Sequence, residues 1–175
     1  MKRLFDILFS LAALIFLSPV FLVIAILIKL DSSGKIFFIQ KRVAKNFREF
    51  SMFKFRTMRD GSDKEGFLTV GEGDKRITRV GLRLRKYKLD ELPQFINVLL
   101  GDMSVVGPRP EVKKYVDLYD TRQKIILSMK PGITDYASVS FSDESQLLAK
   151  YPDAEEAYLK EIMPAKLEMG LKYIE

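Results

Sequence analysis

Two adjacent carboxylates, Asp90 and Glu91, stand in the run Leu89-Asp90-Glu91-Leu92-Pro93-Gln94, directly after the cations Arg83, Arg85, Lys86 and Lys88. Neighbours on a helix diverge by about 100°, so the two acids cannot easily share one task. One can attack while the other holds Mg²⁺ or orients a partner. A carboxylate is a weak nucleophile, yet it suffices against a phosphoryl group whose charge is neutralised by Mg²⁺ and guanidinium ions. The same residues fit a plainer role, Asp90 as a helix cap and Glu91 as a first-turn acid, and spacing alone favours that role.

A second chemical position shifts the balance. Gly107-Pro108-Arg109-Pro110 holds an arginine, the preferred fork for phosphate, in a loop stiffened by prolines. Its bland equivalent is an exposed arginine in a helix-terminating turn. Lys54 and Arg56, in Phe53-Lys54-Phe55-Arg56-Thr57-Met58, alternate with aromatics as cations on one face of a strand do. An edge strand with a wet face explains them equally well.

Composition narrows the chemistry. The chain of 175 residues has no cysteine and no histidine. Disulfides, thiolate metal sites, imidazole bases, Ser-His-Asp and Cys-His triads and zinc-hydrolase centres are therefore excluded. Carboxylates, hydroxyls, lysines, arginines or an oxygen-liganded cation such as Mg²⁺ remain. Residues 29–88 carry 17 Lys and Arg against 7 Asp and Glu, whereas residues 89–175 carry 10 against 15. Anionic lipid headgroups or a polyphosphate ligand suit the basic half, and a merely solvated face is the alternative. Nucleic acid is disfavoured, because membrane attachment opposes it and no nucleic-acid-binding motif is present.

These groups must be positioned by the elements around them, beginning with 22 uncharged residues from Ile7 to Ile28 that contain Ser18-Pro19. A straight helix of that length would be about 33 Å long, enough for a hydrocarbon core of ~30 Å. Pro19 removes a backbone donor and kinks the helix, and Ser18 can bond the freed carbonyl. Cations flank both ends: Lys2 and Arg3 before, Lys29, Lys35, Lys41 and Arg42 after. A spanning helix sends one cluster across the membrane, while a helix broken at Ser18-Pro19 returns both ends to one side; the residues admit either. A secretory signal is disfavoured, since the run is too long and Leu30-Asp31-Ser32-Ser33-Gly34 is a poor cleavage site.

The expected fold class is α+β and mostly helical: a re-entrant helix-break-helix over residues 1–30, then one small cytosolic domain over 31–175 with a short sheet and amphipathic helices. Strands are expected at 35–43 and 50–55, joined by a polar turn at 44–49. Residues 60–76 read as an exposed, mobile loop. Asp90 to Leu100 predicts a helix with Leu92, Phe95, Ile96, Leu99 and Leu100 on one face, Pro93 in its first turn and Gly101 past its end. A second helix is expected at 111–129 and a strand at 133–139. From Asp153 onward the pattern is helical, interrupted at Pro164, with Tyr158, Ile162, Leu167 and Leu171 on a face suited to the core; a Lys/Arg-rich face of the kind that lies on membranes is absent.

Taken together, the broken apolar segment, Phe53-Lys54-Phe55-Arg56-Thr57-Met58, Leu89-Asp90-Glu91-Leu92-Pro93-Gln94, Gly101-Asp102-Met103-Ser104-Val105-Val106-Gly107-Pro108-Arg109-Pro110 and Lys130-Pro131-Gly132-Ile133-Thr134 resemble the bacterial sugar transferases, or monotopic phosphoglycosyl transferases. The chain looks like a minimal member, similar to the Campylobacter PglC type. The resemblance implies transfer of a sugar 1-phosphate from a UDP-sugar to a polyprenyl (undecaprenyl) phosphate on the cytoplasmic face of the inner membrane. It implies that Asp90 is the nucleophile, releasing UMP and forming a phosphosugar-enzyme, that Asp90 and Glu91 hold Mg²⁺, and that Arg85 and Arg109 bind phosphate. Lys54 and Arg56 fall in a family motif, Pro108 and Pro110 in a nucleotide loop, and Ser18-Pro19 in the membrane break. The chain departs from many relatives in having Tyr87-Lys88 before the acidic pair and Asp135-Tyr136-Ala137-Ser138-Val139 after Pro131-Gly132-Ile133-Thr134, which bears on sugar choice. A non-catalytic membrane adaptor that binds anionic lipid through its basic half is the rival expectation.

Overall fold

A computed structural model of the protein describes residues 1–62, 68–71 and 73–174. Helices α1 (Lys2–Phe16) and α2 (Ser18–Asp31) meet at Leu17 with a bend of 59°. The cause is local. Pro19 has no N–H to offer the carbonyl of Ile15, and the Ser18 hydroxyl donates to that carbonyl instead, at 2.8 Å. No single helix is long and apolar enough to cross a membrane, but the bent pair meets that test jointly. Most of its large side chains are exposed, among them Leu4, Leu8, Ile15, Phe16, Leu22 and Val23. A soluble surface rarely carries so continuous an apolar area.

Both free ends of the pair are tied to the same body. In α1, Arg3 donates to the carbonyls of Val98 and Leu99, and Asp6 accepts from Ser104 Oγ at 2.9 Å and from the Val105 amide at 3.0 Å. At the end of α2, Asp31 accepts from the Val80 amide at 2.8 Å, and Ile24 and Ile28 pack with Phe55 and Leu84 in a buried cluster.

The domain begins with the hairpin β1 (Phe37–Val43) and β2 (Glu49–Phe55), antiparallel in the register Phe37↔Phe55 to Val43↔Glu49. Its turn is a 3₁₀ turn, Lys45–Phe47, in which Asn46 and Phe47 adopt φ of 57° and 61°. Of the expected loop at 60–76, residues 63–67 and 72 lie outside the described residues; Gly71 donates its amide to the Ser145 carbonyl at 2.8 Å. Helix α3 (Arg79–Lys86) has no counterpart in the sequence expectations. Thr78 caps it by accepting from the Gly81 amide at 3.0 Å, and its dense basic residues mask its short apolar stripe.

The helix expected from Asp90 to Leu100 forms in two parts, a 3₁₀ turn Leu89–Glu91 and then α4 (Gln94–Leu100), with Pro93 at the junction. The helix expected over 111–129 does not hold together. It yields α5 (Lys113–Val116) and a separate 3₁₀ stretch, Gln123–Ser128. Asp120 and Gln123 exchange side chain-to-amide bonds at 3.0 and 2.8 Å, a reciprocal cap that starts a new helical segment rather than continuing the old one. The strand expected at 133–139 shrinks to β4 (Gly132–Thr134), because Asp135 accepts from the Ser138 amide at 2.7 Å and caps α6 (Tyr136–Ser140).

β4 pairs in parallel with β3 (Ser104–Val106). The backbones cross so closely that a Cβ on Gly132 would lie 2.1 Å from the Gly107 nitrogen, and a Cβ on Gly107 would lie 2.5 Å from the Lys130 carbonyl oxygen. Only glycine fits at either place. After α7 (Glu144–Leu148), the C-terminal helix runs as α8 (Ala154–Ala157), one π turn (Tyr158–Ile162) and α9 (Met163–Ile174). The expected interruption near Pro164 takes the form of that π turn. Tyr158, Ile162, Leu167 and Leu171 are buried, and the first three join Tyr115, Val116 and Ile126 in the largest core cluster, as core packing requires.

Candidate active site

The turn that carries the acidic pair is set by Lys88, a non-glycine residue in the left-handed region at φ 55°, which reverses the chain between α3 and the Leu89–Glu91 turn. Asp90 and Glu91 then point into different surroundings. Glu91 is held from two sides: Arg109 donates to both of its oxygens, at 2.5 and 3.2 Å, and Lys54 Nζ lies 2.9 Å from Oε1. Asp90 is 7% exposed, and its Oδ1 is buried with no hydrogen-bond partner.

Electrostatics separates the two further. Burial pushes the Asp90 carboxyl above its ordinary 3.8, with Lys54 opposing. Burial acts on Glu91 in the same sense, but Arg109 and Lys54 prevail and hold it well below 4.5. Glu91 in turn holds the Arg109 guanidinium protonated, while burial draws the Lys54 ammonium down against the pull of Glu91. Neighbouring carboxyls driven apart in this way take different roles. Glu91 fixes two cations beside a second carboxylate that accepts no bond from the protein at Oδ1.

Three cavities converge here. One of about 590 Å³ is bordered by Lys54, Thr57, Thr69, Arg85 and Asp90. A second, of about 470 Å³, shares Lys54, Arg85 and Asp90 with it and adds Glu91, Arg109 and Glu111. A third, of about 300 Å³, shares Glu91 and Arg109 with the second.

Of the residues named from sequence, the fold thus gathers Lys54, Arg56, Arg85, Asp90, Glu91 and Arg109 around these cavities. Arg85 donates to the hydroxyls of Thr57 and Thr69 at 2.9 and 2.8 Å, which fixes its guanidinium on the cavity wall. Arg56 borders the same cavity as Asp90, Lys54 and Arg85. β2 ends at Phe55, so Arg56 leaves the strand face, and its guanidinium donates to Ser32 Oγ and O, each at 2.9 Å, and to the Lys35 carbonyl. It also clasps the end of the bent helix pair. Pro108 and Pro110 are buried and border none of the three cavities; they flank Arg109, whose amide donates to Asp135 at 3.1 Å.

Mg²⁺ is usually held by one or two carboxylates with water and substrate phosphates. Among the described residues no group of three or more acids gathers to cage a metal. The free Oδ1 of Asp90 suits the smaller share that such an ion takes from a protein, whereas the oxygens of Glu91 already face two cations.

The family model described as bacterial sugar transferase matches residues 1–175. The chain belongs to the bacterial sugar transferase family. It is 45% identical over 141 residues to the UDP-N-acetylgalactosamine-undecaprenyl-phosphate N-acetylgalactosaminephosphotransferase of Aeromonas hydrophila, covering 79% of this chain and 33% of that one. It is 35% identical over 182 residues to the UDP-glucose:undecaprenyl-phosphate glucose-1-phosphate transferase of Escherichia coli K12, covering 99% and 36%. With the exopolysaccharide production protein PSS of Rhizobium leguminosarum bv. phaseoli the identity is 44% over 150 residues, covering 79% and 73%. The chain thus spans about a third of the first two relatives' length.

Sequence reasoning about this sugar transferase missed the groups that brace the cavity from behind. Glu111 accepts from Arg42 at 2.7 Å, from the Val112 amide at 2.7 Å and from the Tyr158 hydroxyl, and Lys166 pairs with Glu144 at 2.6 Å. No local pattern marks them, because each partner is remote in the chain. Asp6 escaped for the opposite reason: one acid at the edge of an apolar run reads as a flank, yet it is 4% exposed.

Proposed function

We propose that the protein transfers a sugar 1-phosphate from a UDP-sugar to a polyprenyl phosphate at the cytoplasmic face of the bacterial inner membrane, opening the assembly of a surface glycan. The observation that carries this reading is the buried, unpartnered Oδ1 of Asp90 among Lys54, Arg85 and Arg109. The names of the Aeromonas and Escherichia relatives supply the substrate classes.

Asp90 attacks the sugar-bearing phosphorus of the donor, the bond to the UMP oxygen breaks, and UMP departs with that electron pair. The phosphosugar is left on the carboxylate. An oxygen of the lipid phosphate then attacks the same phosphorus and the bond to Asp90 breaks, which returns the carboxylate and yields the diphospholipid-linked sugar. Arg85 and Arg109 neutralise the phosphate oxygens, and Glu91 holds Arg109 and Lys54 in place through both steps. Asp90 Oδ1, with the diphosphate oxygens, would hold Mg²⁺, which when bound supplies further neutralisation of the diphosphate. Chelation of divalent ions is expected to stop turnover.

The re-entrant arrangement of α1 and α2 is supported by their attachments. Lys2, Arg3 and Asp6 at one end and Asp31 at the other all bond to the same domain, so a hairpin leaves that domain on one side of the bilayer. Labelled UDP-sugar is expected to leave its phosphosugar on Asp90, with Met1 and Lys35 accessible from the same side. Transfer without labelled protein would exclude the two-step scheme, and a wild-type protein that releases no UMP would favour a membrane adaptor.

A further inference from the structure

The cavity shared by Glu91 and Arg109 differs from its neighbours in having a mostly apolar wall. Leu92, Phe95, Ile133, Ala137, Val139 and Phe141 line it, and its volume is about 300 Å³. Three cations border it. Arg109 and Lys166 are paired with Glu91 and Glu144, whereas Lys88 Nζ donates to the Ser142 carbonyl at 3.1 Å. The wall also meets the bent helix pair, since the Phe95 ring lies 5.9 Å from that of Phe9 in α1. Val139, another lining residue, is 70% exposed. An apolar slot that is cationic inside and open toward an apolar, membrane-facing surface complements a phosphate monoester with a long hydrocarbon tail.

We propose that this cavity is the acceptor subsite, taking the phosphate and first isoprene units of the polyprenyl phosphate, and that the donor binds separately, in the two cation-lined cavities that border Asp90. The proposal rests on the transferase reading above and adds where each substrate enters. Lys88, Arg109 and Lys166 meet the lipid phosphate at the boundary between the apolar cavity and the one that holds Asp90. The hydrocarbon leaves past Phe95 and Val139 toward α1. Glu91, common to both spaces, forms the partition between the substrates.

Two variants of the full-length protein in detergent or nanodiscs test this. Ala137→Phe fills the slot from a buried position, and Val139→Asp puts a charge on its exposed rim, where the fold has little to lose. Two activities are read: acceptor-independent exchange of labelled UMP into UDP-sugar, which needs only the donor subsite and Asp90, and transfer to undecaprenyl phosphate. Transfer is expected to fall by about tenfold or more while exchange persists, the size of effect that a changed apolar pocket produces. Loss of both together in Val139→Asp would assign the cavity to the donor, and loss of neither would show that no substrate uses it. A photoreactive isoprenyl phosphate supplies a readout independent of turnover. It should label residues 133–141, with competition from undecaprenyl phosphate and none from the UDP-sugar. Equal competition by the UDP-sugar, or none by undecaprenyl phosphate, would overturn the assignment. Absence of UMP exchange in the wild type, with labelling intact, would instead refute the covalent reading and leave the acceptor subsite standing.

Discussion

Of the three aspartates buried among the described residues, Asp6 and Asp90 are treated in opposite ways. Asp6, in the first turns of the bent helix pair, is 4% exposed and accepts bonds from Ser104 Oγ and the Val105 amide. Asp90, which borders two of the three cavities, is 7% exposed and leaves Oδ1 without a partner. A buried charged oxygen with no bond costs stability, which a role in binding at Asp90 would offset. The hairpin attachment is a closed hydrogen-bond account, whereas the acidic centre is held open by the neighbours that immobilise Glu91.

Asp90→Asn should break the comparison most sharply. UMP release per molecule is expected to fall on the order of 10³-fold or more, as for removal of a covalent nucleophile. Thermal stability at neutral pH should hold or rise, because a desolvated charge is removed. Retained UMP release would return Asp90 to a capping role. Glu91→Gln comes next. It leaves Arg109 and Lys54 buried without their counter-charge, and denaturation should show a loss of roughly 3–5 kcal/mol, with Arg109 no longer fixed. Asp6→Ala should cost less, about 1–3 kcal/mol, by orphaning the Ser104 hydroxyl and the Val105 amide. UMP release per folded molecule should change little, and a collapse there as deep as that of Asp90→Asn would erase the distinction between the two sites.

The smallest effect is the pH dependence. Asp90 has a raised value, so its contribution to folding is fully present below 3.8 and is lost as pH rises through the raised folded value. Glu91 behaves in the reverse sense: its contribution is present above 4.5 and is lost as pH falls through the depressed folded value. Stability curves of Asp90→Asn should therefore lack the decline on the approach to neutrality, and those of Glu91→Gln should lack the loss in acid. The acid limb of UMP release should lie above 3.8, since Asp90 must be ionised to attack.

Much of this was legible where the signal is local. Pro19 in an apolar run announces the break, because one missing donor disrupts the helix wherever that helix lies, and Ser18 beside it supplies the repair. The strand pair, the acidic turn before α4 and the amphipathic C-terminal face follow from alternation, capping and 3.6-residue periodicity. The failures came where a short side-chain bond competes with a longer pattern. Asp120 with Gln123 divides one expected helix, and Asp135 converts half an expected strand into a helix start. The tie of Arg56 to Ser32 also went unforeseen, because its alternation with Lys54 ends when β2 ends.

By itself the sequence determined the range of chemistry open to the protein, through residue types: without histidine or cysteine, carboxylates, hydroxyls, lysines, arginines or an oxygen-liganded cation must act, and an apolar run interrupted by proline must bend. Which carboxylate is free to act was decided only in three dimensions. Asp90 and Glu91 are adjacent and chemically alike, and they differ because β2 and the Gly107–Pro110 loop, remote in the chain, deliver Lys54 and Arg109 to one of them. Ion pairing depends on distance in space, and that distance is fixed by strand register and by the glycine-to-glycine contact at Gly107 and Gly132, which no reading of neighbouring residues contains.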